Sequence, residues 1–244
     1  MCGICIWINR NGELEPNTLN EAISLQQHRG PDQTKAIFYN DSFEEVFSGE
    51  NLDKKDTKNI KLGVAHTRLS IIDLSNEGVQ PFISYDQNYV ITYNGEIYNY
   101  KELKNFLIKK NVKFKSNSDT EVILESYKYW GIDFLEKIRG MYAFCIFDIK
   151  KRNIILARDP FGIKPLYYSE INSVFYFASQ AKSLLQIENI DNETSKKAII
   201  NYFLWGNINE PDTIYENIKV LKRGSYLIIN SEGSKNFHEF ANLK

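Results

Sequence analysis

Apolar positions along the chain recur mostly with a period of two. "GICIWIN", "KAIFYN", "KLGVAHT", "NYVITYN", "MYAFCIFDI", "NIILARD", "SVFYFAS" and "SYLIIN" each read as a strand. "CIFDIKKRNIILA" reads as two strands joined by a polar turn around "DIKKRN". Between these runs the period lengthens to that of a helix. "TLNEAISLQQH" places Leu19, Ala22, Ile23 and Gln26 on one face, and "YKELKNFLIKK" does the same with Leu103, Phe106 and Leu107. "SDTEVILESYKYW" opens with Ser118 and Glu121 at the spacing of a capping box. "TSKKAIINYFL" predicts a further helix. In the first strand Ile4, Ile6 and Ile8 share one face and Gly3, Cys5 and Trp7 the other. Both faces are apolar, which predicts a strand covered on both sides. The pattern becomes turn-rich at "WGNINEPDTIYEN", so a domain is expected over residues 1–204 and an extension over 205–244.

With 43% hydrophobic residues among 244, the chain can bury a full core. Thirty Lys and Arg against 31 Asp and Glu leave a net charge of -1, so no basic excess points to nucleic acid or an anionic membrane. No run is long and apolar enough to span a bilayer, and no signal peptide pattern opens the chain. Three cysteines do not make a disulfide scaffold, which leaves a reducing cytoplasm as the expected compartment.

Cys2 and Cys5 form a C-x-x-C in "MCGICIW". A redox pair would need the two sulfurs side by side, yet three positions along a strand point them to opposite faces. A structural zinc would need about four ligands, and Cys145, His28, His66 and His238 show no clustered spacing. Cys5 and Cys145 read as small core residues. Cys2 differs physically. Removal of Met1 would put a thiol and a free α-amine on one residue, and an α-amine with a reference pKa of about 7.7–8.0 can accept and return a proton.

Nine stretches change the weight of that observation. "MCGI", "HRGPD", "RLSIID", "QPF", "NGEIYN", "SDTEVIL", "RGMYAFCIFD", "ARDPFGIKPLYY" and "FASQAKSLL" occur in this order and cover almost the whole chain. Together they resemble the glutaminase domain, a class II glutamine amidotransferase, of glutamine-dependent asparagine synthetases, a branch of the N-terminal-nucleophile hydrolases. The resemblance implies an α+β fold, a four-layer αββα sandwich of two antiparallel sheets flanked by helices. It also implies that L-glutamine is hydrolysed to glutamate and ammonia. Cys2 would be the nucleophile, and the Asn94 side-chain amide with the Gly95 N–H would meet the oxyanion. Arg68 would bind the substrate's α-carboxylate through its planar fork, and Asp119 its α-ammonium. Ser70, Ile71, Ile72 and Glu96 would line the pocket. Arg29 would support the loop beside the nucleophile, and His28 would be structural.

Each residue also has an ordinary alternative. "NG" is a hairpin-turn dipeptide, an isolated arginine makes surface ion pairs, and Asp119 suits a helix N-terminus. The chain departs from the pattern at Ile6 and Lys35, where the family commonly has glycine, and at Gln180 in place of a glutamate. Ile6 adds bulk beside the nucleophile strand. No metal or cofactor is expected for glutamine hydrolysis. ATP and Mg are expected only for a synthetase domain with an "SGGxDS"-type loop, a segment this chain does not contain, although "PDTIYENIKVLKRGSYLIIN" resembles the lead-in to it. The expected partners are L-glutamine and a synthetase domain or subunit that receives ammonia for an activated carboxylate, aspartate first. A homodimer is allowed. Two other uses stay open: delivery of ammonia to another acceptor, such as a sugar acid, and non-catalytic glutamine binding.

Overall fold

The computed structural model describes residues 1–9, 11–49, 59–188 and 190–241. The chain forms two compact units. One comprises Gly3–Thr67 and Pro165–Lys222, the other Met1–Cys2, Arg68–Lys164 and Arg223–Lys244.

The first unit is built on a seven-stranded sheet. In chain order its strands are β1 (Gly3–Asn9), β2 (Gln33–Tyr39), β3 (Glu45–Gly49), β4 (Leu62–Arg68), β9 (Tyr167–Ile171), β10 (Val174–Ala178) and β11 (Lys219–Val220). Their spatial order is β11-β9-β10-β1-β4-β2-β3. β1 runs antiparallel to both neighbours, with Ile6 opposite Phe177 on one side and Val64 on the other. Every β1 residue is buried, as its two apolar faces require. Helices α1 (Pro16–Ser24) and α4 (Ala181–Leu184) close one face. Leu19, Ala22, Ile23 and Leu184 pack there with Cys5, Trp7 and Phe38. Gln26 is fully buried as its face requires, although α1 ends at Ser24; its side-chain amide donates to the Ile4 carbonyl at 3.0 Å. Helix α5 (Lys196–Trp205) starts at Ser195, whose hydroxyl accepts from Ala198 N–H. The expected boundary at Leu204 falls in its last turn.

The second unit is built on β5 (Phe82–Ile83), β6 (Tyr89–Ile97), β7 (Gly140–Asp148), β8 (Asn153–Arg158), β12 (Ser225–Ile229) and β13 (Lys235–Glu239). Their order is β13-β12-β8-β7-β6-β5, again antiparallel. β7 and β8 form the expected hairpin, closing at Asp148 opposite Asn153. Helices α2 (Tyr100–Lys109) and α3 (Asp119–Trp130) cover one face of this sheet. Leu103, Val122, Ile123 and Tyr127 meet Ile91, Tyr93, Phe144 and Ile155 there. Both sheets are antiparallel and both carry helices, so the α+β class stands.

Several local expectations change. The alternative reading of "NG" as a hairpin turn does not hold, since Asn94 and Gly95 lie inside β6, opposite Ala143 and Tyr142. Phe106 is 41% exposed instead of facing the core, because it stacks on Trp130 with ring centroids 5.3 Å apart. β4 ends at Arg68, and Leu69 gives its N–H to a sulfur instead of a ladder partner. Strands β3, β5, β9, β11 and β13 are short or polar and carry no clear alternation, so periodicity did not reveal them.

The capping box is also replaced. Ser118 caps α3 by accepting from Thr120 N–H at 3.0 Å. Glu121 does not reach back to the Ser118 N–H; its carboxylate instead accepts from the N–H groups of Lys115 and Ser116 and from the Ser116 hydroxyl, at 2.7–2.9 Å for the shortest of each. The chain entering the helix doubles back over its first turn, and Glu121 supplies the acceptor those buried donors need. Glu121→Gln puts an amide where these donors converge. It is expected to lower unfolding stability by about 2 kcal/mol, more than Ser118→Ala at about 1 kcal/mol. Urea unfolding of both variants checks the order.

Candidate active site

A cavity of about 210 Å³ lies within the second unit, bounded by three main walls. The first wall is Cys2 and the loop after β4. Leu69 N–H donates to Cys2 Sγ at 3.5 Å, and Sγ lies 3.8 Å from the Leu69 carbonyl oxygen. Arg68 is 7% exposed and folds over this loop, with Nη1 donating to the Ser75 carbonyl at 3.0 Å and Nη2 to the Asp73 carbonyl. Gly78 permits this: a Cβ there would come within 2.7 Å of Arg68 Nη2. The Asp73 carboxylate ties the loop to the third wall, accepting from Ser75 N–H at 2.9 Å and Asn117 N–H at 3.0 Å. Burial opposes its charge, but these hydrogen bonds, the Ser75 hydroxyl and the Arg68 charge outweigh it and hold the carboxyl below its ordinary range.

The second wall is the edge of β6. Alternate residues of a strand turn their N–H groups the same way. Tyr93 N–H is taken by Gln80 Oε1 at 2.7 Å and Ile97 N–H by Asp119 Oδ2 at 3.1 Å. Gly95 stands between them. Its partner on β7, Tyr142, directs both its N–H and its carbonyl to Asp159, so Gly95 and Tyr142 form a non-hydrogen-bonded pair. The Gly95 N–H therefore points away from β7, on the side shared by Tyr93 and Ile97. The strands approach so closely here that a Cβ on Gly95 would collide with the Met141 carbonyl oxygen and lie 2.8 Å from Tyr142 Cα. Beside it, Asn94 is 1% exposed, and its Nδ2 is a buried donor with no hydrogen-bond acceptor among the described residues. Such a group is costly in a folded interior and calls for a reason.

The third wall is the first turn of α3, which carries Ser118, Asp119 and Thr120. Asp119 is 5% exposed; its Oδ2 accepts from the Tyr93 hydroxyl at 2.8 Å as well as from Ile97. Burial raises its pKa above the ordinary carboxylate value. The Ile97 and Tyr93 hydrogen bonds oppose this without cancelling it, and Glu96 adds to the rise. Gln80 couples the second and third walls, since its Nε2 donates to Thr120 Oγ1 at 3.2 Å.

Cys2, Arg68, Ser70, Ile71, Ile72, Asn94, Gly95, Glu96 and Asp119 thus all line one cavity. Glu96 and Ile71 are exposed, and Ile72 is half-buried, which places them toward the opening. Arg29 belongs to the other unit, in a short 3-10 turn at Gln27–Arg29, and is not among the lining residues. Sequence reasoning missed Gln80, Tyr93 and Asp73. Gln80 and Asp73 stood inside the "QPF" and "RLSIID" stretches without a role, and nothing in the pattern distinguished Tyr93 from a core aromatic. None of the three cysteines is in a disulfide; Cys5 and Cys145 are fully buried in strands, and burial pushes both thiols up from their ordinary pKa.

Residues 49–241 match the model of the family described as "Glutamine amidotransferase domain". The chain belongs to this family. This amidotransferase domain is 37% identical over 250 residues to asparagine synthetase [glutamine-hydrolyzing] 1 of Bacillus subtilis, covering all of this chain and 36% of that protein. It is 38% identical over 239 residues to asparagine synthetase [glutamine-hydrolyzing] 2 of the same organism, covering 94% of this chain and 29% of that protein. The domain therefore spans about a third of the length of these relatives. Among solved structures it shares the fold of glutamine phosphoribosylpyrophosphate amidotransferase from B. subtilis, with a TM-score of 0.69 and 22% identity over 98% of this chain and 49% of that one. No helix among the described residues is long and apolar enough to cross a membrane.

The raised pKa of Asp119 has a thermodynamic consequence. Between the ordinary aspartate value of 3.8 and the higher folded value, the native state holds a proton that the unfolded chain releases. Stability therefore falls as pH rises through that window, and the cost of the buried charge persists at neutral pH. Asp119→Asn keeps an acceptor for Tyr93 and Ile97 and removes the charge. Its thermal midpoint at pH 7 is expected to equal or exceed that of the parent domain, with the difference shrinking as pH falls toward 3.8. Calorimetry across this range checks it, and a large loss of stability at pH 7 would contradict it.

Proposed function

We propose that this amidotransferase domain hydrolyses L-glutamine to L-glutamate and ammonia through a thioester on Cys2. The observation that carries the reading is the unpartnered Asn94 amide in the cavity that holds the Cys2 thiol. A donor left open in a buried wall suits an oxygen that becomes negative only during reaction, and Gly95 N–H is turned to the same edge. Arg68 and Asp119 supply one positive and one buried negative group, the pair a zwitterionic amino acid needs.

In the proposed sequence Met1 has been removed, and the freed α-amine of Cys2 takes the thiol proton. The sulfur attacks the side-chain amide carbon of glutamine, and the former carbonyl oxygen carries the charge toward Asn94 and Gly95. The carbon–nitrogen bond then breaks, and the nitrogen leaves as ammonia with the proton returned by the α-ammonium. Water gives a proton to the amine and attacks the thioester. The carbon–sulfur bond breaks, glutamate departs and the thiol is restored.

The relatives' names and the share of their length matched here support delivery of the ammonia to a synthetase portion or subunit, where it would amidate an activated carboxylate, aspartate first. Activation with ATP and Mg would belong to that portion, and glutamine hydrolysis itself uses only groups of this domain. A reducing cytoplasm suits a Cys2 thiol outside any disulfide.

Intact mass and ammonia release from glutamine test the reading together. Protein lacking Met1 is expected to turn over, and Cys2→Ala to release no ammonia while keeping its fold; turnover retained in Cys2→Ala would end the mechanism. Asn94→Ala is expected to lower kcat by roughly 10²–10³.

A further inference from the structure

We infer that Tyr93 is a positioning residue for the substrate's amine: its hydroxyl, with the Ile97 N–H, occupies Oδ2 of Asp119 and so presents Oδ1 to the cavity as the ammonium acceptor. This rests on the glutaminase reading and adds a residue to it. Tyr93 is 3% exposed, and its ring is packed among the apolar residues between β6 and α3. It is tied to the first turn of α3 twice. Its hydroxyl meets Asp119 at 2.8 Å, and its N–H meets Gln80 at 2.7 Å, which in turn holds Thr120, the residue after Asp119. A carboxylate in a wall of this kind could rotate about its terminal bond, a torsion with broad wells. Two donors converging on one oxygen stop that rotation. Among the described residues no cation pairs with Asp119, so the fixed oxygen remains for a cationic ligand.

The groups facing Asp119 are Tyr93 and Glu96 from β6, with Cys2, Arg68 and Lys164 elsewhere around the cavity. The Tyr93 hydroxyl donates to the ionised form and therefore lowers the pH at which Asp119 takes a proton. Losing it moves that protonation, and with it the acid limb of kcat/KM, to higher pH.

Tyr93→Phe tests the assignment. For glutamine, KM is expected to rise about tenfold while kcat stays within about twofold, the pattern of an interaction made equally in ground and transition states. For glutaramate, the same chain without the α-amine, KM is expected not to change. The acid limb for glutamine should move upward in pH. A fall in kcat at unchanged KM, or equal losses with both substrates, would overturn the assignment. Where Tyr93→Phe fails to fold, 3-fluorotyrosine at this position keeps the ring and strengthens the donor. It is expected to move the acid limb downward, and an unmoved limb overturns the assignment. A parent domain that releases no ammonia would instead remove the glutaminase reading, whereas an active parent with an indifferent Tyr93→Phe removes only this one.

Discussion

The site depends on a buried negative charge that pairs with no cation among the described residues. Asp119 sits at the start of α3 with two neutral donors on one oxygen. The helix N-terminus favours a carboxylate there, yet burial dominates and lifts its pKa. Keeping the charge dry and fixed in place requires the surroundings to be rigid, because any relaxation would admit water or let the carboxyl turn away. Tyr93 and Ile97 provide that rigidity from β6, Gln80 from the segment before β5, and Glu121 from within the helix by holding the approach at Lys115 and Ser116. The wall is therefore stiff where it carries charge. Its other notable group, Asn94 Nδ2, is open on a strand that is stiff for a different reason, its nine-residue pairing with β7.

Arg68 shows the opposite solution to the same problem. Its guanidinium meets backbone carbonyls and lies near the Asp73 carboxylate, which is held below its ordinary range. A guanidinium has five donors, and two of them suffice to shape the loop at Asp73 and Ser75. The Arg68 guanidinium is thus met by carbonyls and a carboxylate, whereas the Asp119 carboxylate meets only neutral donors among the described residues. A zwitterion entering this cavity would gain most at its amine, where the uncompensated carboxylate waits, and would be oriented at its carboxylate by a fork already in place.

The residues at the surface of this chemistry were legible in the chain, while those behind them were not. Cys2, Arg68, Asn94, Gly95 and Asp119 could be named because the stretches that carry them resemble the glutaminase family, and the fold brings all of them to one cavity. Long apolar or alternating strands such as β1, β6 and β7 were readable from the residue pattern itself. What escaped depends on contacts distant in sequence. Tyr93 looks like any aromatic on an alternating strand until α3 is laid against it. Ser118 and Glu121 have capping-box spacing, but the competing donors come from the doubled-back chain at Lys115 and Ser116, which spacing does not reveal. Phe106 lies on the apolar face of its helix, yet Trp130 offers it a stacking partner outside the core.

The two glycine-linked constraints at the site also have separate physical origins, and this decides how each could vary. Gly78 is needed because the Arg68 guanidinium lies against it. A side chain there would push a flexible arginine, which can yield at the expense of its loop contacts. Gly95 is needed because β7 lies against it, and its would-be Cβ meets backbone at Met141 and Tyr142. Backbone inside a six-stranded sheet cannot yield without breaking the register that also carries Asn94. A substitution at Gly78 would therefore bear on how Arg68 is held against the loop at Asp73 and Ser75. A substitution at Gly95 would disturb the donor edge itself, together with the strand that holds Tyr93 and Ile97 against Asp119. The close approach of two strands at one residue thus links the donor edge of the cavity to its charged wall.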